Sequence, residues 1–340
     1  NFGYIKIRNF QDDTSQCLNE HLKRLKMSTD KLKGLIVDLR NNSGGLLDQA
    51  IEVADKFLEI GDIVITVGPG GHPREVAEAR KTDTDEALYP MVVLVDAGSA
   101  SGAEIVAGAL KENNRAIIVG DRSFGKGSVQ QLIELMDGSA LKLTIAKYLT
   151  PLSTDIQSVG ITPDIKLLPV TVAKDNINLF RGIVALREED LKQHLDEHRK
   201  DETPFAILKY YLETKEKDKD RDKENNKPEE PEEEPEDPYK LPDFNTDFHI
   251  LFAKQLLTKA TVWQRDAFLQ NSSPVIEETT RNEEKKIAQA LQKLDIDWSS
   301  GASAGKIKTN VSFSTTPANG RVKAGEKVTL TVTAANIGEA

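Results

Sequence analysis

The chain has 340 residues, of which 38% are hydrophobic and 29% charged, and its net charge is −10. This balance is typical of globular domains joined by polar segments, and the length accommodates about two domains. The negative charge argues against binding to nucleic acid, because such binders present a basic face. The single cysteine, Cys17, excludes an internal disulfide framework and a cysteine-rich metal site.

The first 170 residues alternate between strand patterns and helix patterns. In chain order they predict a strand in GYIKIRNF, a helix in DTSQCLNEHLKRLK, a strand in LKGLIVDL, a helix in LLDQAIEVADKFLEIG, strands in DIVITVG and YPMVVLV, a helix in GAEIVAGALKENN, and strands in RAIIVG, ALKLTIAKYLT and GITPDIKL. Strands that alternate with helices form parallel sheets covered by helices. The sequence therefore predicts an α/β core over residues 1–170.

The character of the sequence changes after about residue 170. Residues 171–213 predict a charged helical extension, and residues 214–240 predict a disordered acidic linker rich in proline and glutamate. Residues 241–297 predict a helical region, with one amphipathic helix in FHILFAKQLLTKATVWQRDAFLQ and a second in EETTRNEEKKIAQALQKL. Residues 306–340 show alternating strands around turns and predict the start of an Ig-like β-sandwich module.

The two ends of the sequence favour a piece of a longer protein. The first residue is Asn1, no signal-peptide pattern follows it, and the last residues lie inside a strand pattern. No apolar run reaches the roughly 20 residues that a membrane span needs. We therefore expect no membrane span in this stretch and expect targeting signals to lie outside it.

The stretch from Gly98 to Gln130, GSASGAEIVAGALKENNRAIIVGDRSFGKGSVQ, holds the candidate chemistry. Acyl transfer needs a nucleophile, a base and oxyanion donors. Ser101 begins a predicted helix, where free N–H groups such as that of Gly102 can bind an oxyanion. Lys126 lies between glycines with no acid in SFGKGS, and a lysine held away from carboxylates acts as a base when it is neutral.

A second oxyanion donor is predicted at the end of the neighbouring strand. NNSGG follows LIVDLR there, so Gly44 or Gly45 would offer an N–H from the same carboxyl edge of the sheet. Each feature also has an ordinary structural explanation. Ser101 and Glu104 fit a capping box, and NNSGG and Gly-Lys-Gly are common turn signals. The residues alone leave a catalytic site and a glycine-rich turn both open.

Two other motifs compete with this interpretation. GDRSFGKG resembles a P-loop, but the next residue is Gly127 rather than Ser or Thr, and the following residues predict strands instead of a helix. HLDEH matches the inverted zincin signature, with His194 and His198 as ligands and Glu197 as base. The surrounding segment is charged on all sides, which favours a solvated helix over a metal site. We expect no nucleotide, metal or other cofactor.

Three blocks of the sequence resemble successive blocks of the C-terminal processing peptidases, also called tail-specific serine proteases. They are LIVDLRNNSGGLLDQAIEVADKFL, the Gly98–Gln130 stretch and LTIAKYLTPLSTDIQSVGITPDI, and the opening GYIKIRNF also fits. The resemblance covers about residues 1–170 and implies a ClpP/crotonase-like α/β protease core. The PDZ-like module that precedes GYIKI in the family is not in this sequence. No nameable resemblance extends past residue 170.

Carried over position by position, the resemblance implies the following site. The nucleophile falls on Ser101 rather than Ser99, the general base on Lys126, and the glutamine that orients the lysine on Gln130. The oxyanion donors fall on Gly102 and on Gly44 or Gly45. This sequence departs from the family in having Gly102 and Ala103 where Ala and Ser are usual, and TPLSTDIQ lacks a usual glycine.

The resemblance implies a serine endopeptidase with a Ser-Lys dyad that cleaves proteins near their C-termini. Its partners would be unfolded or C-terminally exposed protein substrates, with homo-oligomerisation allowed. The implied location is extracytoplasmic, in the periplasm. Two alternatives remain at this point: a non-enzymatic scaffold built on a protease-like fold, and a zinc metalloprotease through His194, Glu197 and His198.

Overall fold

The computed structural model describes residues 1–28, 32–68, 72–80, 88–174, 176–179, 185–191, 202–213, 241–296, 309–316 and 329–336. Within these ranges the chain forms two units, residues 1–287 and residues 288–340. Its elements in chain order are β1 (Gly3–Lys6), α1 (Thr14–Met27), β2 (Leu35–Asp38), α2 (Leu47–Asp55), β3 (Asp62–Val67), β4 (Pro73–Glu78), β5 (Met91–Val95), α3 (Gly102–Glu112), β6 (Ile117–Gly120), β7 (Ser128–Glu134), β8 (Ala140–Leu149), β9 (Ile165–Ala173), β10 (Asn176–Asn178), β11 (Ala206–Tyr211), α4 (Phe248–Lys259), α5 (Arg265–Asn271), α6 (Ser273–Gln292), β12 (Thr309–Thr316) and β13 (Thr329–Asn336).

The first unit is built around a parallel sheet in the order β1-β2-β5-β6-β9, with β11 parallel to β9 on its other side. The short strand β10 runs antiparallel to the end of β9. Strands such as β5 are apolar at every position because both faces of the sheet are covered. This arrangement confirms the predicted α/β core and its parallel pairing.

Alternate residues of each strand enter two different cores. In β5, Val93 packs with the side chains of α1–α3, whereas Val92 and Leu94 pack with those of α4–α6. The side-chain period of two along a strand produces this division. Because β2 and β5 are parallel neighbours, their carboxyl ends meet at one edge of the sheet. Helices α2 and α3 begin beyond that edge.

A second, antiparallel sheet has the order β4-β3-β8-β7. The predicted strand DIVITVG is therefore correct as a strand, but it belongs to this sheet rather than to the parallel one. Strands β7 and β8 form a hairpin whose turn contains Gly138 at a φ of +82°. Because a strand rather than a helix follows Lys126, the structure does not have the strand–loop–helix context of a P-loop.

The charged helical extension predicted for residues 171–213 is wrong where the structure describes it. These residues hold the end of β9, the strands β10 and β11, and a short 3-10 turn at Glu188–Asp190. Strand β11 buries Leu208 and Tyr210 at alternate positions, a strand period that the surrounding charges obscure. The candidate metal ligands of the metalloprotease alternative, His194 and His198 with Glu197, lie outside the described residues, as does the predicted linker at 214–240.

The predicted helical region at 241–297 consists of α4, α5 and α6. The first predicted helix is interrupted after Lys259, because Ala260 turns to extended backbone, and β-branched Thr261 and Val262 follow it. Residues 202–213 and 241–287 belong to the same unit as residues 1–170, so the core extends past the boundary that the sequence predicts. No helix in the described ranges is long and apolar enough to cross a membrane.

The second unit contains the antiparallel pair β12 and β13, in register from Thr309 opposite Asn336 to Thr316 opposite Thr329. The alternating pattern of residues 306–340 thus forms strands in the described ranges. The Ig-like module itself stays a prediction.

Truncation of Leu256 tests whether α4 belongs to the folding unit of the parallel sheet. This side chain is fully buried in the second core, which also contains Ile36 of β2 and Val92 of β5. We expect Leu256→Ala to lower the free energy of unfolding by about 2–5 kcal/mol, measured by urea titration. The matched control is Leu241→Ala, where the leucine is 62% exposed and the expected change is within about 0.5 kcal/mol. Equal unfolding midpoints for both variants would contradict the packing.

Candidate active site

Ser101 occupies a sharp turn between a strand and a helix. Strand β5 ends at Val95 and α3 begins at Gly102, so only six residues reverse the chain above the sheet edge. Ser101 has a φ of +52° and a ψ of −113°, a conformation that L-residues seldom adopt and that costs about 1–3 kcal/mol. A strained strand-to-helix turn of this kind presents a serine hydroxyl above the carboxyl edge of a sheet.

The neighbouring serine is used within the turn. The Ser99 hydroxyl is fully buried, donates to the carbonyl of Leu39 at 2.8 Å and accepts the N–H of Asp96 at 3.0 Å. Ser101 is only partly buried and stands at the N-terminus of α3. The structure thus favours Ser101 over Ser99 as the reactive serine.

The loop that carries Lys126 is joined to this turn. The N–H of Phe124 donates to the carbonyl of Ser99 at 2.9 Å. The flanking glycines are there because another segment passes close by: a Cβ on Gly127 would lie 2.5 Å from the backbone nitrogen of Gln157. Gly125 has a φ of +96°, which favours glycine. These contacts fix the backbone on both sides of Lys126.

Glu104 connects the serine turn and the lysine loop through one carboxylate. Its Oε2 accepts the N–H groups of Ser101 at 2.8 Å and of Lys126 at 2.9 Å. Its Oε1 accepts the Ser123 hydroxyl at 2.5 Å and the N–H of Gly125 at 2.7 Å. Glu104 is fully buried. The candidate nucleophile and the candidate base are therefore held against the same oxygen atom, although they are 25 positions apart.

The side chains of the candidate dyad are not hydrogen-bonded to each other. Within the described residues, no hydrogen bond joins the Ser101 hydroxyl to the Lys126 ammonium, and Lys126 forms no ion pair. Gln130 is exposed on β7, just after a bulge between Val129 and Gln130, and forms no hydrogen bond with Lys126. Catalytic hydrogen bonds are often long in the absence of substrate and tighten when it binds.

The predicted oxyanion donors differ in how their N–H groups are used. The Gly44 N–H donates to Asn42 Oδ1 at 2.8 Å, whereas no hydrogen bond between described residues uses the N–H of Gly45 or Gly102. Gly44 instead allows its loop to lie close against the serine turn, because a Cβ there would lie 2.7 Å from Ser101 Cβ and 3.1 Å from the Gly102 nitrogen. This geometry favours Gly45 over Gly44 as the second donor, beside Gly102.

Comparison with known proteins finds a family match in the first part of the chain. The model of peptidase family S41 matches residues 1–167 of the 340 residues. The resemblance to the C-terminal processing peptidases is thereby confirmed. Among the described residues of this S41 region lie Ser101, Lys126 and Glu104.

Curated relatives carry the corresponding names. The carboxy-terminal-processing protease of Bartonella bacilliformis is 46% identical over 197 residues, which are 57% of this chain and 44% of that protein. The chloroplastic C-terminal processing peptidase of Tetradesmus obliquus is 38% identical over 173 residues, 51% of this chain and 36% of that protein. The chain thus spans less than half the length of these two relatives.

A solved structure titled photosystem II D1 C-terminal processing protease is also similar to this chain. It is 37% identical, with a TM-score of 0.45, and the match covers 48% of this chain and 41% of that chain.

Two charged residues of the S41 region anchor the loop that carries Gly44 and Gly45. Asp38 is fully buried, and both of its oxygens bind the Arg40 guanidinium, at 2.9 Å from Nε and 2.7 Å from Nη2. The Tyr4 hydroxyl also donates to Asp38, at 2.7 Å. Burial alone raises the pKa of Asp38, but the hydrogen bonds and charge of Arg40 outweigh it, so the pKa is lowered and Asp38 is ionised. The sequence analysis did not single out this pair.

Glu104 was also missed as a site residue, since the sequence shows it only as the partner of a capping box. Burial raises its pKa from the ordinary 4.5 to about 7, against the opposing effect of its four hydrogen bonds. The carboxyl that joins the serine turn to the lysine loop therefore titrates near neutral pH.

This shift predicts a pH dependence of stability. Because the folded pKa of Glu104 is raised, its contribution to the free energy of unfolding is fully present below pH 4.5 and is lost as the pH rises to about 7. The change is on the order of 3 kcal/mol. We expect the stability of the wild type relative to Glu104→Gln to fall by that order between pH 4.5 and 7.5 in urea titrations. A pH-independent difference would contradict a raised pKa.

Proposed function

We propose that this chain contains the catalytic region of a serine endopeptidase with a Ser101–Lys126 dyad. The observation that carries the proposal is the Glu104 carboxylate, which binds the N–H groups of both residues on one oxygen within an S41 region. A glycine-rich turn without catalytic function would not require a fixed position of the Lys126 loop relative to the strained Ser101. The hydroxyl and the amine thereby extend from two backbones held in a fixed relation.

The chemistry proceeds through an acyl-enzyme. The Ser101 hydroxyl attacks the scissile carbonyl while the neutral Lys126 amine takes its proton, which forms a C–O bond and a tetrahedral oxyanion. The N–H groups of Gly102 and Gly45 stabilise that oxyanion. The Lys126 ammonium then protonates the leaving amine as the peptide C–N bond breaks. A water molecule, deprotonated by Lys126, hydrolyses the acyl-serine and restores the hydroxyl. Gln130 orients Lys126 once substrate is bound.

The proposed substrates are extended segments of unfolded or C-terminally exposed proteins, cleaved near their C-termini. Strand β7 begins two residues after Lys126 and, within the described residues, pairs with β8 on one side only. An edge strand accepts an extended peptide as an additional strand. The cross-strand neighbours Ile133 and Leu141 on this hairpin are 39% and 46% exposed, which suits apolar segments of an unfolded chain.

The proposed location is extracytoplasmic, in the periplasm, in keeping with the family resemblance and with bacterial relatives named carboxy-terminal-processing proteases. We propose no nucleic-acid partner and no cofactor, because the dyad supplies both nucleophile and base. A homo-oligomer is compatible with this proposal.

Digestion of an unfolded protein tests the proposed function. The protein at its full natural length is compared on gels with its Ser101→Ala variant, each with and without a metal chelator. Cleavage by the wild type alone, unaffected by the chelator, is the expected result. Cleavage by neither folded protein would instead favour a scaffold, and inhibition by the chelator would favour the metalloprotease alternative through His194 and His198.

A further inference from the structure

We propose that Asp247, at the start of α4, is a positioning residue for the oxyanion loop, defined here as residues 40–45. The inference rests on the proposed function, and it assigns a role to the helical region that follows the S41 match. Asp247 would act through Arg40 and would not touch the substrate. It would hold the first residue of the loop in place, and so hold the N–H of Gly45 at the other end.

The Arg40 guanidinium is held between two carboxylates. On one side its Nε and Nη2 bind Asp38, and on the other its Nη1 and Nη2 bind Asp247 at 3.1 and 2.9 Å. The three side chains are mostly buried, with exposed fractions of 13% for Arg40, 0% for Asp38 and 19% for Asp247. Bidentate arginine–carboxylate pairs fix orientation as well as charge. Arg40 therefore has one preferred position, set jointly by β2 and α4.

The charges of this cluster are balanced only when Asp247 is present. Lys6 lies 3.7 Å from Asp38, so the cluster holds the two cations Lys6 and Arg40 and the two anions Asp38 and Asp247. Neutralising Asp247 leaves an excess positive charge in a mostly buried site. Buried charges without partners are strongly unfavourable, so Arg40 would move toward water or toward Asp38 alone.

Asp247 is itself rigidly held. Its side chain caps α4 by accepting the N–H of Ile250 at 3.1 Å, and its own N–H donates to the carbonyl of Asp243 at 2.9 Å. Helix α4 packs on the parallel sheet through Phe252 and Leu256, which are fully buried. The helix therefore provides a fixed point against which Arg40 is placed.

The position of Arg40 is transmitted along a short, tightly bonded loop. The Asn41 N–H donates to Asp96, the Asn42 amide donates to the carbonyl of Ile7, and the Asn42 carbonyl accepts the N–H of Ala100. Asn42 Oδ1 then accepts the N–H of Gly44, one residue before the free N–H of Gly45. A shift of Arg40 would move the first residue of the oxyanion loop and, through these hydrogen bonds, the N–H of Gly45 at its end. Small misplacements of catalytic donors lower reaction rates strongly.

The test compares Asp247→Asn with Asp247→Glu and with the control Asp243→Asn in the full-length protein. Asp243 is exposed and lies four residues upstream, and its side chain accepts the N–H of Asn245 at 2.9 Å within the local turn. Its contact with Asp247 is made by the backbone carbonyl, which the substitution leaves in place. For Asp247→Asn we expect kcat on a peptide substrate to fall by about 10- to 100-fold, with KM within about twofold of wild type. Asp247→Glu should recover part of the loss, and Asp243→Asn should match the wild type.

A second measurement does not depend on activity. Hydrogen exchange of the peptide covering residues 40–45 should be faster in Asp247→Asn than in the wild type or Asp243→Asn, with melting temperatures that show all three folded. Unchanged exchange in this loop would overturn the proposal, whether or not the protein cleaves substrate. So would a kcat equal to wild type. Absence of cleavage by wild type and Ser101→Ala alike, with faster loop exchange in Asp247→Asn, would count against the proposed function while leaving the positioning contact intact.

Discussion

Replacing Ser101 or Lys126 with alanine is expected to lower kcat/KM for an unfolded protein substrate by at least about 1000-fold. Each variant removes one half of a unit that acts only as a whole. The Ser101 hydroxyl needs the Lys126 amine as its base, and without the hydroxyl no tetrahedral intermediate forms for the lysine to act on. The double variant should be no slower than either single variant. Initial rates on a quenched peptide, with melting temperatures to confirm folding, measure these effects.

Two controls at the end of α1 match these changes chemically. Lys23→Ala and Ser28→Ala remove the same groups from exposed positions, and these side chains lie neither in the serine turn nor on the hairpin proposed to bind substrate. Both should retain activity within about twofold. Residual activity of one tenth or more in Ser101→Ala or Lys126→Ala, with these controls intact, would contradict the assigned dyad.

Truncation of Glu104 to alanine is expected to have the next largest effect, and on stability as well as activity. The side chain accepts one hydroxyl and three backbone N–H groups in a fully buried site, and alanine leaves all four donors without this acceptor. A buried donor left unsatisfied costs about 1–3 kcal/mol, and partial relaxation reduces the sum. We expect the free energy of unfolding at pH 6 to fall by about 3–5 kcal/mol, measured by urea titration.

Activity should fall further than the loss of folded protein explains, because Glu104 registers the Ser101 turn against the Lys126 loop. Glu112 on the same helix is the matched control, since it also accepts a hydroxyl and an N–H, from Thr150 and Leu152, but contacts neither loop. Glu112→Ala should lower stability while the folded protein keeps its kcat. A folded Glu104→Ala variant with wild-type kcat would refute the registering role.

Local sequence patterns were sufficient to predict the strands β1, β2, β5, β6 and β9 of the parallel sheet. They marked Ser101 and Lys126 as candidates but left a glycine-rich turn also open, and the dyad itself came from the family resemblance. Strands such as β2 and β5 are continuous apolar runs, because burial on both faces imposes that composition wherever they lie in the fold. The serine turn and the lysine loop were recognisable because each has a short motif of fixed spacing. The choice of Ser101 over Ser99 came from the family resemblance, and the structure adds the reason, which is that the Ser99 hydroxyl is used inside the turn.

Only the tertiary structure decided the contacts that organise the site. Glu104 binds Gly125 and Lys126 from 21 and 22 positions away, and Arg40 binds Asp247 from 207 positions away. Strand β11 was missed because its alternation is short and stands among charged residues, and only pairing with β9 stabilises it as a strand. Periodicity and turn chemistry are properties of neighbouring residues, so the sequence reports them directly. Which loops meet at the carboxyl edge of the sheet, and which buried carboxylate then satisfies their N–H groups, depends on the packing of the whole unit.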